Sequence, residues 1–369
     1  MVLIKQSILL VILAGIIPAA MAAKYPLQNR QDTVIGEISS VRAELKDTLL
    51  DIARRNGLGY QDIKLLNPEL DTWLPGENVE VKLPLKFILP DTERDGIVLN
   101  IPEMRLYYYT GAGRDGVQEV VTYPLGVGRE GWDTPYIKTK IIEKKQYPKW
   151  YPPESIREEH AEAGDPLPKV VEAGPDNPLG DHAMRLGLPE YLIHGTNKPF
   201  GIGMRVSHGC IRLYPEDIET LFQQVQLGTR VEIVNQPYKI GELDGVLYLE
   251  AHPYLDEDAD MFENNLTPVV KLIVNATDER QYDIDWNLVR EVVRQPRGIP
   301  VAIGFTRIDP TTTIADIGMD DEIVVTGDTA ATAVDSVVDQ AILDQQQKLD
   351  LRLDNHIHPL KFYRERVAQ

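Results

Sequence analysis

The chain has 369 residues, 43% apolar and 26% charged, which suits two or three globular domains and excludes wholesale disorder. Acids outnumber Lys and Arg 57 to 38, for a net charge of −19, so nonspecific attraction to nucleic acid or anionic lipid is excluded as the main activity. Tyr outnumbers Phe 16 to 6, as expected of aromatic groups bordering a groove for a polar ligand.

Lys5 precedes the uncharged apolar run Ile8 to Ile17, followed by Pro18 and Ala20-Met21-Ala22, the layout of a secretory signal over residues 1–22. The apolar run is short of the roughly 20 residues that span a bilayer, so no transmembrane span is expected in the mature chain. An exported chain meets an oxidising compartment, and this one has a single cysteine, Cys210, which cannot form an internal disulfide. A free thiol there is either buried or needed for chemistry.

Residues 34–84 predict a strand-helix-helix-strand unit. Asp47-Thr48 caps a helix with Leu49, Leu50, Ile52 and Ala53 on one stripe, ended at Asn56-Gly57. A second helix with Ile63, Leu65 and Leu66 inside stops at Asn67-Pro68. Leu74-Pro75-Gly76-Glu77 then turns into the alternating strand Val79, Val81, Leu83. Through Asp47-Thr48-Leu49, Ile52-Ala53, Leu66-Asn67-Pro68 and Leu74-Pro75-Gly76 the unit resembles the lysin motif, which implies a small peptidoglycan-binding domain. Lys46 stands where that motif usually has Gly.

Residues 96 to 145 read as β-structure. Ile97 to Ile101, the turn Pro102-Glu103-Met104 and Arg105 to Tyr109 form a hairpin, with a further strand around Val117 to Tyr123. Gly126, Gly128 and Gly131 are not a dinucleotide loop, because no helix pattern follows them. Seven prolines between Pro148 and Pro178 exclude a central strand or a long helix. Trp150, Tyr151 and the prolines could wall a groove, and His160 and His182 are expected at the surface.

Apolar Leu192-Ile193 leads into His194-Gly195-Thr196 as at a strand end, with the imidazole expected at a rim. Ser207-His208-Gly209-Cys210-Ile211-Arg212-Leu213 follows, and Pro215-Glu216-Asp217 starts a helix with Ile218, Leu221 and Phe222 facing the core. Cys210 is therefore expected just ahead of a helix N-terminus, where backbone N–H groups favour a thiolate and can stabilise an oxyanion. A thiol with a pKa near ~8.5 needs a base beside it, and either His194 or His208 could serve. Arg212 has the fork geometry that suits a carboxylate.

His194-Gly195-Thr196 with Ser207-His208-Gly209-Cys210-Ile211-Arg212-Leu213 resembles the signature of the L,D-transpeptidase catalytic domain, in the periplasmic type that carries a lysin motif. The resemblance implies a mainly β catalytic domain, an L,D-transpeptidase β-sandwich, over residues 96–235, and the periplasm of a Gram-negative bacterium. It further implies Cys210 as nucleophile and His194 as base, oriented by the Gly195 carbonyl. Backbone around His208, Gly209 and Cys210 would form the oxyanion hole, and Arg212, Ser207 and Thr196 would bind substrate. The implied partners are peptidoglycan stem peptides and glycan, with a diaminopimelate amine or an outer-membrane lipoprotein lysine as acceptor. No cofactor, metal or nucleic acid is implied. In Thr134-Pro135-Tyr136-Ile137 the family usually has Gly at the last position, which Ile replaces only with strain if φ is positive.

An α/β C-terminal extension is expected over 236–307, with a strand at Gly245 to Glu250 and a helical pattern over 267–303 in which Trp286, Val289, Val292 and Val293 share a face. From Ile308 to Gln347 there are nine acids and no Lys or Arg, so residues 308–369 are expected to be an acidic solvated tail. Three rival uses of the chain are a hydrolase of the same fold, a noncatalytic wall-binding protein, and a zinc site built from His194, His208 and Cys210. His356-Ile357-His358 reads as a solvated segment.

Overall fold

The structure is a computed structural model that describes residues 23–29, 31–113, 116–129, 134–207 and 209–307. The proposed signal 1–22, the tail 308–369 with His356 and His358, and His208 lie outside the described residues. No helix among the described residues is long and apolar enough to cross a membrane.

The N-terminal part contains β1 (Lys24–Leu27), β2 (Val34–Gly36), β3 (Ser39–Arg42), α1 (Leu49–Arg55), α2 (Tyr60–Leu66), β4 (Glu80–Leu83) and β5 (Lys86–Ile88). Strand β3 pairs antiparallel with β4 around the two helices, and β2 with β5 beside them. Thr48 caps α1 reciprocally: its Oγ1 accepts from the Asp51 N–H at 3.1 Å, and the Asp51 carboxylate accepts from the Thr48 N–H at 3.1 Å. The α1 stripe is buried as expected, and Gly57 at φ +64° lets the chain leave the helix. In α2 only Ile63 of the three expected apolar residues is fully buried; Leu65 and Leu66 are half-buried.

The middle of the chain contains β6 (Gly96–Asn100), β7 (Arg105–Tyr109), β8 (Gln118–Pro124), β9 (Val127–Gly128), β10 (Lys138–Gln146), α3 (Glu154–Glu162), β11 (His182–Leu186), β12 (Leu192–His194), β13 (Arg205–Ser207), β14 (Ile211–Arg212), α4 (Pro215–Gln224) and β15 (Arg230–Val234). Their main sheet has the order β1-β8-β7-β6-β15-β10-β11-β12-β14. The expected hairpin forms in the register Ile97 to Tyr108 and Leu99 to Leu106. Period-two alternation then feeds two cores. Ile97, Leu99, Leu106, Val121 and Tyr123 face one side with Ile193, Ile211 and Ile218, whereas Val98, Tyr107 and Val120 face the other with Leu49 and Ile52 of α1. The sheet is therefore apolar on both faces because the N-terminal unit covers one of them.

Strand β10 is shared: Lys138 to Lys140 pair with β15, and after Ile141 the strand continues along β11 with a register shift. Ile137 takes no positive φ; its N–H donates to the Ile233 carbonyl at 3.1 Å, so extended pairing absorbs the departure from Gly. The Pro-rich stretch carries a nine-residue helix, α3, that fits between Pro153 and Gly164 at φ +80°. Proline there forbids a long helix and not a short one.

The last described part contains β16 (Tyr238–Leu243), β17 (Val246–Ala251), α5 (Ala259–Phe262), α6 (Thr267–Ala276), β18 (Tyr282–Ile284), α7 (Trp286–Arg294) and β19 (Pro300–Thr306). The sheet order is β16-β17-β19-β18, with α6 and α7 packed on it. The helical pattern expected over 267–303 is thus interrupted by β18 and ended by β19. Val301 and Ile303 belong to a strand, and Trp286 is exposed at the start of α7 instead of sharing the inward face of Val289 and Val292.

One buried polar cluster ties the three parts together. The Lys239 ammonium on β16 donates to the Ile88 carbonyl at 2.6 Å, to Glu103 at 2.8 Å and to Glu250 at 2.9 Å. Glu250 also pairs with His252 at 2.7 Å and accepts the Ile88 N–H. Burial pushes the Glu103 carboxyl up, but Lys239, His252 and Arg105 overcome it and hold the group at about 2. Lys239→Met leaves two buried carboxylates without their cation and is expected to cost about 3–5 kcal/mol. Urea unfolding measures this, and a loss below about 1 kcal/mol would show that the cluster is not a joint.

Candidate active site

Antiparallel pairing with β11 sets Ala183 opposite His194, and parallel pairing with β14 sets Ile193 opposite Ile211 and His194 opposite Arg212. The Leu213 N–H donates to the His194 carbonyl at 2.9 Å and locks that register. Ile193 and Ile211 are pinned by the core, so the neighbouring His194 and Arg212 are directed elsewhere. Both line an open cleft of ≈ 970 Å³ together with Gly209 and Cys210.

His194 is buried, not at a rim. Its Nδ1 lies 2.6 Å from the Gly195 carbonyl, an arrangement that places a proton on Nδ1 and leaves Nε2 as acceptor. Burial, helped by the Arg212 charge, drives its pKa down to about 3, against the pull of the Gly195 and Leu179 carbonyls. The imidazole is therefore neutral and in the form of a base.

Gly209 is buried at φ +92°, a conformation that favours glycine between His208 and Cys210. Its carbonyl accepts from the Thr134 hydroxyl at 3.2 Å. Thr134 is thus a supporting residue, a role that its place in Thr134-Pro135-Tyr136-Ile137 does not signal. The Cys210 thiol lies 3.6 Å from the Glu190 carbonyl, and Glu190 is a non-glycine residue at φ +68°. Nothing in the sequence signals that role for Glu190.

Burial raises the thiol pKa, with the Leu192 backbone and Arg212 opposing. The expected helix-terminus thiolate is not what the fold provides: strand β14 stands between Cys210 and α4, which begins at Pro215. Arg212 is half-buried, and its buried Nε has no hydrogen-bond partner among the described residues, so it can receive an anion.

Thr196 is buried, accepts the Lys198 N–H at 2.9 Å through its hydroxyl and is not among the residues lining the cleft. Ser207 ends β13, which pairs with β9. The opposite wall comes from the Pro-rich stretch, through Pro148, Trp150, Tyr151, Pro153 and Ile156. His182 is buried on β11 against Phe222 at 4.7 Å, contrary to the surface expectation, because that stretch ends in a strand of the main sheet. His160 is half-buried beside Asp165. Glu103, Glu250 and His252 converge as metal ligands could, but the Lys239 ammonium already provides their cation.

The L,D-transpeptidase catalytic domain family matches residues 94–233, which include His194, Gly209, Cys210 and Arg212. A probable L,D-transpeptidase of Escherichia coli K12, YbiS, is 39% identical over 294 residues, covering 78% of this chain and 94% of that protein. The probable L,D-transpeptidase ErfK/SrfK of Salmonella typhimurium is 39% identical over 298 residues, covering 78% and 93%. Escherichia coli K12 YcfS, also a probable L,D-transpeptidase, is 38% identical over 299 residues, covering 79% and 92%. The chain belongs to the L,D-transpeptidase family.

As an L,D-transpeptidase it is an acyltransferase, and burial in its cleft favours the neutral form of both the Cys210 thiol and the His194 imidazole. Two outcomes follow from those charge states. Alkylation of Cys210 by iodoacetamide should keep rising beyond pH 9; a plateau below pH 8 would reveal a preformed thiolate. His194 has a folded pKa of about 3, below its usual 6.5, so the stability tied to its neutrality is complete above pH 6.5 and is lost as the pH falls toward 3. His194→Gln should flatten the decline in stability between pH 6.5 and 4, measured by urea unfolding at each pH.

Proposed function

We propose that Cys210 carries the acyl group as a thioester and that His194 moves the protons. His194 Nε2 takes the thiol proton as sulfur attacks the carbonyl of the third residue of a tetrapeptide stem. Backbone N–H groups around Gly209 and Cys210 face the developing oxyanion, and Arg212 holds a substrate carboxylate. The C–N bond to the terminal D-alanine breaks as His194 returns the proton to the departing amine. An acceptor amine, from diaminopimelate or a lipoprotein lysine, then loses a proton to the same imidazole, forms the new amide and frees the thiol. The one observation supporting this reading is a buried imidazole, its Nδ1 held against the Gly195 carbonyl, sharing a cleft with the only cysteine of the chain.

The proposed setting is the periplasm, reached through the signal 1–22. The N-terminal unit, 34–84, is proposed to hold glycan as a lysin motif. Leu45, Trp73 and Leu74 are large apolar side chains left exposed on two loops joined by the Leu49 N–H to Thr72 carbonyl bond at 2.9 Å. Residues 96–235 would be the catalytic domain and 236–307 its C-terminal subdomain.

Mass spectrometry of purified muropeptides after incubation, with and without a lysine-bearing acceptor, tests the reaction: a stem joined to the acceptor with loss of D-alanine supports transfer, whereas addition of water supports the hydrolase. Cys210→Ser should abolish the carbapenem adduct while wall binding persists. His194→Ala should cut turnover by roughly 10²–10⁴-fold with little change in binding; near-normal turnover would move the base role to His208. Trp73→Ala should weaken retention on isolated sacculi by about tenfold without changing adduct formation, and unchanged retention would place glycan binding elsewhere.

A further inference from the structure

Between His194 and Cys210 the chain makes a tight excursion through Pro199–Gly201 and then β13, and much of what holds it comes from the N-terminal unit. The Tyr60 N–H, the first in α2, donates to the Ile202 carbonyl at 3.0 Å, and the Gln61 N–H donates to the Gly203 carbonyl at 3.2 Å. These are helix-terminal donors with no partner inside their own helix, so the excursion completes α2 as much as α2 holds the excursion.

The approach is close enough to require glycine on both sides. A Cβ on Gly203, which sits at φ +81°, would lie 2.2 Å from the Tyr60 nitrogen, and one on Gly59 would lie 2.8 Å from the Gly203 Cα. The start of α2 is itself fixed from beneath: Asp62 accepts the Gly59 N–H at 2.8 Å and the buried Arg105 guanidinium of β7 at 2.6 Å. The catalytic sheet grips the other side of the excursion, through the Gly203 N–H to the Leu125 carbonyl at 3.0 Å and the Val127 N–H to the Met204 carbonyl at 3.2 Å.

A second set of contacts lies on the C-terminal side of the nucleophile. Arg54 of α1 forms a two-pronged pair with Glu216 of α4 at 2.7 and 2.8 Å, and its guanidinium lies over the Tyr214 ring. The Tyr214 hydroxyl donates to the Leu58 carbonyl at 3.2 Å. The α1–α2 turn thus touches the chain both before and after Cys210.

We infer that the α1–α2 turn is a positioning element of the catalytic loop: Gly59, Tyr60 and Gln61 against Ile202-Gly203, and Arg54 against Glu216, brace the segment that presents Cys210. The N-terminal unit then has a duty in the chemical step, separate from any hold on glycan. The inference rests on Cys210 being the nucleophile. None of these residues touches substrate, so they are positioning residues.

The test measures single-turnover acylation of the full chain by a carbapenem, separating the acylation rate constant from the apparent affinity, with retention on sacculi and the unfolding midpoint followed in parallel. Gly203→Ala and Arg54→Glu should each lower the rate constant, by ten- to on the order of a hundredfold, while sacculus retention persists. Adding Glu216→Arg to Arg54→Glu should restore most of the rate, a rescue that general destabilisation would not give. Arg55→Ala, which breaks the ion pair to Asp47 inside the N-terminal unit, should change the midpoint alone. If Gly203→Ala does not fold, the charge-exchange pair decides the matter. Unchanged rate constants, or an exchanged pair no faster than Arg54→Glu, would overturn the inference. A wild-type chain that is never acylated would instead overturn the reading of Cys210.

Discussion

The site depends on one pairing, the parallel contact of β12 with β14. It is only two residues deep, Ile193 with Ile211 and His194 with Arg212, yet it brings together chain segments separated by sixteen residues and aims both at one cleft. A two-residue ladder cannot hold itself in water. The two isoleucines are anchored in the main core beside Ile218 and Leu221 of α4, and the Leu213 N–H extends the pairing beyond the strand. A register slip of one residue would send Ile211 toward the cleft and a charged Arg212 toward the core, so core packing enforces the catalytic geometry.

How far the sequence disclosed this depended on the kind of signal each segment carries. The β6–β7 hairpin and the α1 cap were legible because alternation and the Thr48–Asp51 spacing are local codes. The strand β19 was not, because its apolar residues follow a Val-rich helix and short apolar runs fit either period. Helix α3 was obscured by the prolines around it. At the site, the motif made the meeting of His194, Gly209, Cys210 and Arg212 in one cleft legible, but not the burial of Thr196 away from it, nor the charge states. Burial lowers the His194 pKa and raises that of the thiol, with Leu179 and Glu190 contributing from other segments of the chain, and no spacing rule records those.

Buried ion pairs stand at two of the joints between parts of the chain. Lys239 with Glu103 and Glu250 joins the C-terminal sheet to the catalytic hairpin, and Arg105 with Asp62 joins α2 to β7. Such pairs add little net stability compared with apolar replacements, because desolvation opposes the attraction. They do penalise any other relative placement of the parts, since each misplaced partner would leave a buried charge uncompensated. A surface of Leu and Val would tolerate sliding of an ångström or two; these ion pairs do not. Precision at the joints fits a cleft assembled from the main sheet and the Pro-rich stretch.

A thiol pushed toward its neutral form by burial also suits a lone cysteine in the oxidising compartment proposed for it. Oxidants and disulfides react with thiolate, and a thiol whose pKa is raised by burial presents little of it. A permanently ionised Cys210 would be faster at rest and would be consumed by the surroundings. In the proposed mechanism, with His194 favoured in its neutral form, proton loss from sulfur is favoured most when an electrophilic carbonyl is in place to stabilise the negative charge that attack creates. On that proposal, burial that lowers the basicity of the imidazole and raises the pKa of the thiol couples reactivity to occupancy, because both shifts favour the uncharged pair until a substrate carbonyl arrives.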